Sequence, residues 1–247
     1  MSIFHFKKFK VVNELSAMKV NTDGVLLGAL MTINPSDRRF LDIGTGTGTI
    51  ALMAAQRSAA CQDDNDSCQS IRIDAIDIDE PSAIEASANF KNSSWADVLQ
   101  AHHISLEGFA AQNSDKFDLI FSNPPYFDNA LQAPEERRNA ARHTSTGLSY
   151  REILDFASDR LTDHGRVSLV LPAATEHELT RYARMSGLHL SRMTRIRTVT
   201  RKAPKLIVAE FKKIRIDDPD DRVLTIQSEG KYTEEYLQLT RDFYLFA

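Results

Sequence analysis

The fold of this chain is decided by ten consecutive residues, Arg39-Phe40-Leu41-Asp42-Ile43-Gly44-Thr45-Gly46-Thr47-Gly48. The first half is a short apolar run typical of a buried strand, and alternating glycines follow it at once. The apolar residues of 50–54 then predict a helix lying on the sheet. A strand, a glycine turn and a helix N-terminus together form a pocket where backbone N–H groups face a ligand. The stretch therefore predicts an α/β fold with a ligand at this turn, and several nucleotide-like ligands are compatible with it.

A carboxylate closes the next predicted strand. Residues 71–76 alternate between two faces, and Asp77 follows them. Its distance from the glycine turn is about that of a ribose-binding carboxylate, once the polar residues 58–70 are set aside as a flexible surface loop. The alternative role is a helix N-cap, but Asp79 already stands in that position. We therefore favour Asp77 as a ligand of ribose hydroxyls.

A second unusual turn, Asn123-Pro124-Pro125-Tyr126, follows the apolar run 117–121. Two consecutive prolines cannot extend a strand, because each fixes φ and lacks an N–H. The chain must leave the sheet in a stiff shape that holds the Asn123 amide and the Tyr126 ring together at a strand's C-terminal end. Open α/β sheets bind ligands at that edge. The alternative is a plain turn, since Asn-Pro is ordinary turn chemistry.

The N-terminal segment 3–12 interleaves rings and cations. Rings can stack on bases and cations can bind phosphates, which suits RNA. An amphipathic edge strand with its lysines outside is the slightly favoured alternative. The residues that would contact RNA are Phe4, Lys7, Lys8, Phe9 and Lys10. Residues 23–33 then predict a helix capped by Thr22 or Asp23.

Two extended runs near the C-terminus, 188–199 and 205–215, have a connection so short that they must be antiparallel. Between Leu188 and Ala209 there are six cations and no carboxylate. This hairpin could contact phosphates, or its charges could discourage edge-to-edge pairing, and the two interpretations carry equal weight. The end of the chain predicts a short helix and an aromatic tail that packs back on the domain.

Composition limits the function classes. The 247 residues carry a net charge of −4, so any nucleic-acid contact must come from local patches. The N-terminus lacks the apolar core of a signal peptide, and no run is long enough to span a membrane. Cys61 and Cys68 match no zinc or redox spacing, and the adjacent His102 and His103 point to opposite faces of a strand. We expect a cytoplasmic protein without a metal or a membrane partner.

Together, the glycine turn, Asp77, the Asn123–Tyr126 segment and the terminal hairpin resemble those of class I S-adenosylmethionine-dependent methyltransferases. The resemblance implies a Rossmann-like fold: a mostly parallel seven-stranded sheet with an antiparallel last strand and helices on both faces. It also implies a single domain over 1–247. Its parts would be an RNA-contacting extension at 1–17, a catalytic core at 18–215 and a C-terminal extension at 216–247.

Four further stretches are similar to the bacterial tRNA1(Val) (adenine-37 N6) methyltransferases, and they are Phe4–Phe9, Met18–Ala29, Ala141–Thr144 and Tyr232–Tyr236. This resemblance implies an enzyme that methylates N6 of adenine 37 in the tRNA anticodon loop, and we expect it to be a monomer. It would use S-adenosylmethionine and release S-adenosylhomocysteine. Two positions depart from the subfamily: Asn21 replaces a frequent glycine, and Ser105 replaces an aspartate that faces the cofactor's adenine.

The resemblance also implies residue roles. The Asn123 side-chain oxygen and the Pro124 carbonyl would each accept one N–H of the amine, while Tyr126 would stack on the extruded base and Pro125 would stiffen the segment. The glycine turn would bind the cofactor's amino-acid end, and Ile78 would cover its adenine. The cofactor ligands expected are Thr22, Asp42, Gly44, Thr45, Gly46, Gly48, Asp77, Ile78 and Ser105. Further RNA contacts expected are Arg142, Arg195, Arg197, Arg201 and Lys202.

Other functions remain open. The same fold could methylate a protein glutamine amide or a guanine N2 amine. A nicotinamide-dependent oxidoreductase is disfavoured by the terminal hairpin and by Thr49, which stands where a third glycine would be needed. A non-catalytic RNA-binding module is disfavoured because the chemical residues are intact.

Overall fold

The computed structural model describes residues 2–61, 71–126 and 148–247, and all elements below lie in these ranges. The strands are β1 (Ile3–His5), β2 (Lys10–Val12), β3 (Arg39–Ile43), β4 (Arg72–Asp77), β5 (Leu99–His103), β6 (Phe117–Ser122), β7 (Leu161–Pro172), β8 (His189–Val199), β9 (Leu206–Lys212), β10 (Asp220–Ser228) and β11 (Lys231–Tyr232). The helices are α1 (Thr22–Leu30), α2 (Thr49–Cys61), α3 (Glu80–Lys91), α4 (Leu106–Gln112), α5 (Tyr150–Arg160), α6 (Glu176–Met185) and α7 (Glu234–Thr240), with a 3-10 turn at Ala173–Thr175.

One large sheet carries the strands β3 to β11, in the order β11-β10-β8-β9-β7-β6-β3-β4-β5. Strands β5, β4, β3, β6 and β7 run parallel, whereas β9 is antiparallel to both of its neighbours, β7 and β8. The predicted mostly parallel sheet with a reversed last hairpin strand is therefore confirmed over β3 to β9. The predicted count of seven is too low, because β10 joins the edge beside β8 and β11 pairs with β10.

Helices cover both faces of the sheet, as predicted. Successive strand residues point to opposite faces, so Ala75 packs in one hydrophobic cluster and Ile76 in the other. The first cluster also contains side chains of α1, α2, α3 and α7, and the second contains those of α4, α5 and α6. The sheet is thus the middle of three layers, and its strand ends are the edge left open for a site.

The N-terminal segment folds as the separate hairpin β1–β2 and packs on the first cluster. The Phe6 ring stacks on Phe9 with centroids 4.5 Å apart and on Tyr244 at 6.1 Å. The Lys7 ammonium donates to the carbonyl oxygens of Arg241 at 2.5 Å and Ala247 at 2.7 Å. The two ends of the chain therefore bind each other, which confirms that the aromatic tail packs back on the domain.

Two local predictions are wrong. Helix α2 runs to Cys61, so residues 58–61 continue the helix and do not form a loop. Helix α1 is capped by Asn21, whose Oδ1 accepts the Gly24 N–H at 2.8 Å, so neither Thr22 nor Asp23 is the cap. The predicted cap was one or two residues too late, because the cap must precede the first helical residue and the helix already starts at Thr22.

Across the described ranges, no helix has the length and apolarity needed to cross a membrane.

Candidate active site

The glycine turn links β3 to α2 with left-handed backbone at Gly44 (φ 72°), Gly46 (φ 56°) and Gly48 (φ 80°). L-residues with side chains rarely adopt such φ values, so the alternate glycines are a conformational requirement. A Cβ at Gly48 would also lie 2.5 Å from Cε1 of Phe90, which packs α3 close against the turn. The predicted turn is confirmed, since the φ values at all three positions and the close approach of Phe90 to Gly48 require glycine there.

Asp42 lies fully buried beneath this turn. Its Oδ2 accepts a hydrogen bond from Thr45 Oγ1 at 2.7 Å, while its buried Oδ1 has no partner at hydrogen-bonding distance and angle among the described residues; the Ala51 N–H is still close enough to lower the pKa of the carboxyl. Burial raises the pKa of Asp42 to about 7, and the nearby Asp77 carboxylate adds to the shift. An unpaired buried acceptor costs stability, so this oxygen fits a ligand that brings a hydrogen-bond donor to the turn.

Asp77 stands at the end of β4, where its Oδ2 accepts the Gly46 N–H at 2.8 Å and its Oδ1 accepts the Asp79 N–H at 2.9 Å. An ionised carboxylate offers about four acceptor sites, so two remain for a ligand. Burial raises the pKa of this carboxyl too. The adjoining Ile78 is 70% exposed, which leaves a large apolar surface open beside the carboxylate.

Two expected cofactor ligands, Ser105 and Thr22, do not line the cavity beside the glycine turn. Ser105 caps α4, with its Oγ accepting the Gly108 N–H at 3.1 Å. It nevertheless stays near Asp77, because the neighbouring Ile104 N–H donates to the Asp77 carbonyl at 2.9 Å. Thr22 is exposed on the first turn of α1 and does not line the cavity beside the turn.

That cavity, of about 30 Å³, brings the glycine turn and the second unusual turn together. Its lining residues are Met18, Lys19, Val20, Asn21, Gly24, Gly44, Thr45, Gly46, Thr47, Thr49, Ile50 and Asn123. The sequence did not indicate that residues 18–21 would face Asn123, although the N-terminus of a helix directly after them was a usable signal. Most of a nucleoside-sized ligand would lie outside this small enclosed part, along the open strand ends.

Asn123 projects from the end of β6, beside β3, and is 6% exposed. The strand end is fixed by Ser122, whose Oγ donates to the Ile43 carbonyl at 2.6 Å. The Asn123 amide nitrogen lies 3.5 Å from Met18 Sδ, and its Oδ1 accepts from the Tyr126 hydroxyl at 3.2 Å. Pro124 is buried and Pro125 is exposed. The segment thus holds the amide and the ring together, as predicted.

Tyr126 is partly exposed, and its hydroxyl group is hydrogen-bonded to neighbouring side chains. The residue is 40% exposed, and the hydroxyl also lies 3.1 Å from Oδ2 of Asp23 on α1. Burial raises the pKa of Tyr126 well above its usual value, followed by the charge of Asp23. Burial also raises the pKa of Asp23. The phenol therefore stays a donor at neutral pH, and Asp23 is a site neighbour that sequence reasoning missed.

The expected RNA-binding residues divide into two groups. Phe9 is buried and Phe4 half-buried in the ring stack, and Lys7 is bonded to the C-terminal segment. These contacts agree with the packing alternative, in which the rings face the domain, and they leave the buried Phe9 ring no free face for a base. Lys8 and Lys10 are exposed.

In the second basic segment, Arg195 pairs with Glu176 and Asp221, and Arg197 donates to Thr225 Oγ1 at 2.8 Å. Arg201 and Lys202 are exposed in the β8–β9 turn. Arg142 lies outside the described residues. Because β8 runs in the same direction as β6 and β7, this turn lies at the sheet edge that carries Asn123.

The described ranges contain no group of three or more His, Cys, Asp or Glu side chains that could hold a metal ion. His102 bonds to Asp74 at 2.9 Å, and His103 bonds to the Ile78 carbonyl at 3.1 Å, so the two imidazoles have separate partners.

The strand order and the site together define the class of protein. A parallel sheet with a reversed strand β9, a glycine turn after β3, a carboxylate after β4 and an Asn-Pro-Pro-Tyr segment after β6 make it a class I methyltransferase. The methyltransferase small domain family matches residues 15–181. The chain belongs to this family.

Curated relatives match almost the whole chain. A protein of Parabacteroides distasonis is 40% identical over 243 residues, which cover 98% of this chain and 97% of the relative. A protein of Vibrio campbellii is 38% identical over 243 residues, covering 98% and 95%. Both are named tRNA1(Val) (adenine(37)-N6)-methyltransferase.

Solved structures with low sequence identity share the fold. A predicted O-methyltransferase from Agrobacterium tumefaciens superposes with a TM-score of 0.61 at 14% identity, covering 90% of this chain and 96% of that one. The 16S rRNA N2 G1207 methyltransferase of T. thermophilus, solved with AdoMet and guanosine, gives a TM-score of 0.56 at 18% identity, covering 86% and 50%.

Proposed function

We propose that this protein transfers a methyl group from S-adenosylmethionine to N6 of an adenine in tRNA, namely adenine 37 of tRNA1(Val). The observation that carries the proposal is the meeting of Asn123 with the Gly44–Gly48 turn around one cavity. A methyl donor at the turn and an amine at Asn123 would then be neighbours. The names of the full-length relatives support the choice of tRNA adenine over the glutamine and guanine alternatives.

The residues at the strand ends fit S-adenosylmethionine. The unpaired Oδ1 of Asp42 fits the donor-bearing amino-acid end beside the glycines. The two remaining acceptor sites of Asp77 fit the ribose hydroxyls, and exposed Ile78 fits a purine face. When bound, S-adenosylmethionine supplies an electrophilic methyl group on a positively charged sulfur.

Asn123 and Pro124 would prepare the acceptor amine. The lone pair of an adenine amine is delocalised into the ring, which makes it a poor nucleophile. Accepting one N–H at Asn123 Oδ1 and the other at the Pro124 carbonyl favours a tetrahedral nitrogen with its lone pair aimed at the methyl. The exposed ring of Tyr126 would stack on the base, which is worth about 1–3 kcal/mol. An anticodon loop supplies such a base more easily than a duplex does.

The transfer itself needs positioning more than a strong base. The adenine nitrogen forms its new bond to the methyl carbon while the carbon–sulfur bond breaks, and that electron pair stays on sulfur. The nitrogen then loses one proton to water, and S-adenosylhomocysteine is released. The task of the Asn123–Tyr126 segment is to keep nitrogen, carbon and sulfur in line.

The rest of the tRNA would contact exposed cations. Arg201 and Lys202 lie in the β8–β9 turn at the same edge of the sheet as Asn123, and Lys8 and Lys10 are exposed on the N-terminal hairpin. Arg195 and Arg197 contribute less, because their guanidinium groups already have protein partners. Such contacts position the substrate through its phosphates, and their effect falls with added salt.

A labelling experiment tests the proposal. The purified protein is incubated with S-adenosylmethionine carrying a deuterated methyl group and with a tRNA1(Val) transcript, and the digested nucleosides are analysed by mass spectrometry. Labelled N6-methyladenosine is expected from this transcript, and none from a matched transcript with guanine at position 37. Labelled N2-methylguanosine, or label in protein glutamine from a parallel incubation with lysate protein, would favour another acceptor.

A further inference from the structure

The Tyr126 hydroxyl lies between two acceptors at nearly equal distances. Oδ2 of Asp23 is 3.1 Å away and Oδ1 of Asn123 is 3.2 Å away. A phenol has a single hydrogen to donate. At any moment the hydroxyl can therefore donate fully to only one of these oxygens.

One of the two acceptors is the atom that the reaction needs. In the proposed function, Asn123 Oδ1 accepts an N–H of the adenine amine. A Tyr126 hydroxyl that donates to the same oxygen competes with the substrate for it. The base enters productively when the hydroxyl donates to another acceptor, because Oδ1 is then open to the amine and the hydroxyl keeps a hydrogen bond.

We propose that Asp23 is a positioning residue that takes the Tyr126 hydroxyl and so frees Asn123 Oδ1 for the adenine amine. This inference rests on the proposed function of the site. With its hydroxyl held by Asp23, the Tyr126 ring keeps a fixed place for stacking while the amide changes partners. Asp23 acts through Tyr126 and touches neither the base nor the methyl donor.

The surroundings of Asp23 support this role over a purely structural one. Asn21 already provides the N-cap of α1, so Asp23 is not needed for capping. Among the described residues, the hydrogen-bond partner of its carboxylate is Tyr126, which lies 103 positions away in the chain. Burial raises the pKa of Asp23 and the Tyr126 hydrogen bond lowers it, so the carboxylate and the phenol stabilise each other.

A double-mutant cycle separates the two roles. Asp23→Ala is expected to lower kcat/KM for tRNA about tenfold, the effect of one hydrogen bond to a charged group. Asp23→Asn keeps an acceptor oxygen and should recover most of that loss. In a Tyr126→Phe background, which has no hydroxyl to place, Asp23→Ala should cause no further loss. Calorimetric affinity for S-adenosylmethionine should stay unchanged in all Asp23 variants.

The matched control is Glu234→Ala, which removes an exposed acid from the first turn of another helix, α7. It should leave kcat/KM unchanged, and thermal unfolding confirms that each variant is folded. An equal loss on Asp23→Ala with and without the Tyr126 hydroxyl would overturn the inference, since Asp23 would then act through α1. An unchanged kcat/KM in Asp23→Ala would overturn it as well.

A crystal structure of the Asp23→Ala protein decides the same point without tRNA. The Tyr126 hydroxyl is expected to donate to Asn123 Oδ1 alone, and a hydroxyl turned out into solvent would overturn the inference. Should the wild-type protein fail to methylate tRNA, the proposed function fails by itself. The position of the hydroxyl in this structure still decides whether Asp23 places it.

Discussion

Two groups of aromatic residues in this molecule could each stack on a base from their sequence context, but they differ in how far the fold buries them. The N-terminal rings of Phe4 and Phe9 are interleaved with lysines, and Tyr126 follows two prolines, so each could stack on a base. In the folded chain Phe9 is 6% exposed and lies in a ring stack, whereas Tyr126 is 40% exposed and its hydroxyl is hydrogen-bonded to Asp23. A ring can bind a base only if its faces are free, and that depends on what packs against them.

The largest expected effect tests the buried side of this comparison. Phe9→Ala should lower the free energy of unfolding by about 3–5 kcal/mol, because it leaves a cavity in the core. Thermal or denaturant unfolding measures this change. Phe9→Leu fills most of the space and is the matched control, so its tRNA affinity should equal that of the wild type. A tRNA affinity lost in folded Phe9→Leu would show that the ring contacts RNA.

The turn that carries Tyr126 also carries Asn123, and there we expect loss of activity without loss of the fold. Asn123→Ala should reduce kcat by about 100-fold or more, as removal of a single oriented hydrogen-bonding group at a reacting centre does. Its affinity for S-adenosylmethionine should stay within several-fold of the wild type, measured by calorimetry. Full methyl transfer by this variant would contradict the catalytic role of the amide.

Tyr126 itself is the direct counterpart of Phe9. Tyr126→Ala should lower kcat/KM for tRNA by about 5- to 150-fold, which corresponds to the roughly 1–3 kcal/mol of one base–aromatic stack, and should barely change the unfolding temperature. Tyr126→Phe keeps the ring and should lose less. If Tyr126→Ala destabilised the fold as strongly as Phe9→Ala, the distinction between the two aromatic groups would not hold.

A change at Asp77 tests binding of the methyl donor independently of binding of the base. Asp77→Ala should weaken S-adenosylmethionine binding by about 1.5–3 kcal/mol, the range for hydrogen bonds to a charged group. Asp77→Asn keeps one acceptor and should lose less. Calorimetry gives both affinities, and an unchanged value in Asp77→Ala would leave this carboxylate with only its structural bonds to Gly46 and Asp79.

The smallest expected effect distinguishes basic residues that are exposed from those that already have a hydrogen-bond partner within the protein. Removing the exposed cations in the double variant Arg201→Ala/Lys202→Ala should weaken tRNA binding by a few-fold. The slope of the logarithm of the binding constant against the logarithm of salt concentration should fall by about two, roughly one for each cation. Arg197→Ala is the control, because that guanidinium already donates to Thr225. Binding measured across a salt series distinguishes them, and equal slopes for wild type and double variant would exclude the β8–β9 turn from the tRNA surface.

Much of the site could be predicted because its parts are local. The glycines at 44, 46 and 48 have the left-handed backbone that only glycine adopts easily, and the prolines after Asn123 end β6. Strands β10 and β11 were missed, because β10 begins with charged residues and only Leu224 in it is fully buried. Its apolar alternation is limited to Leu224 and Ile226, which is too short a pattern to indicate a nine-residue strand.

The sequence by itself determined the succession of core strands and helices along the chain, the two turns and the class of chemistry at their ends. These follow from backbone restrictions at glycine and proline and from the alternation of apolar residues, which act within a few residues. Only the tertiary structure decided that the Phe6 ring faces Tyr244, that Lys7 holds the C-terminal segment and that Asp23 holds Tyr126. The exposure and the hydrogen-bond partners of these side chains depend on packing between segments far apart in the chain, and a local sequence pattern does not predict that packing.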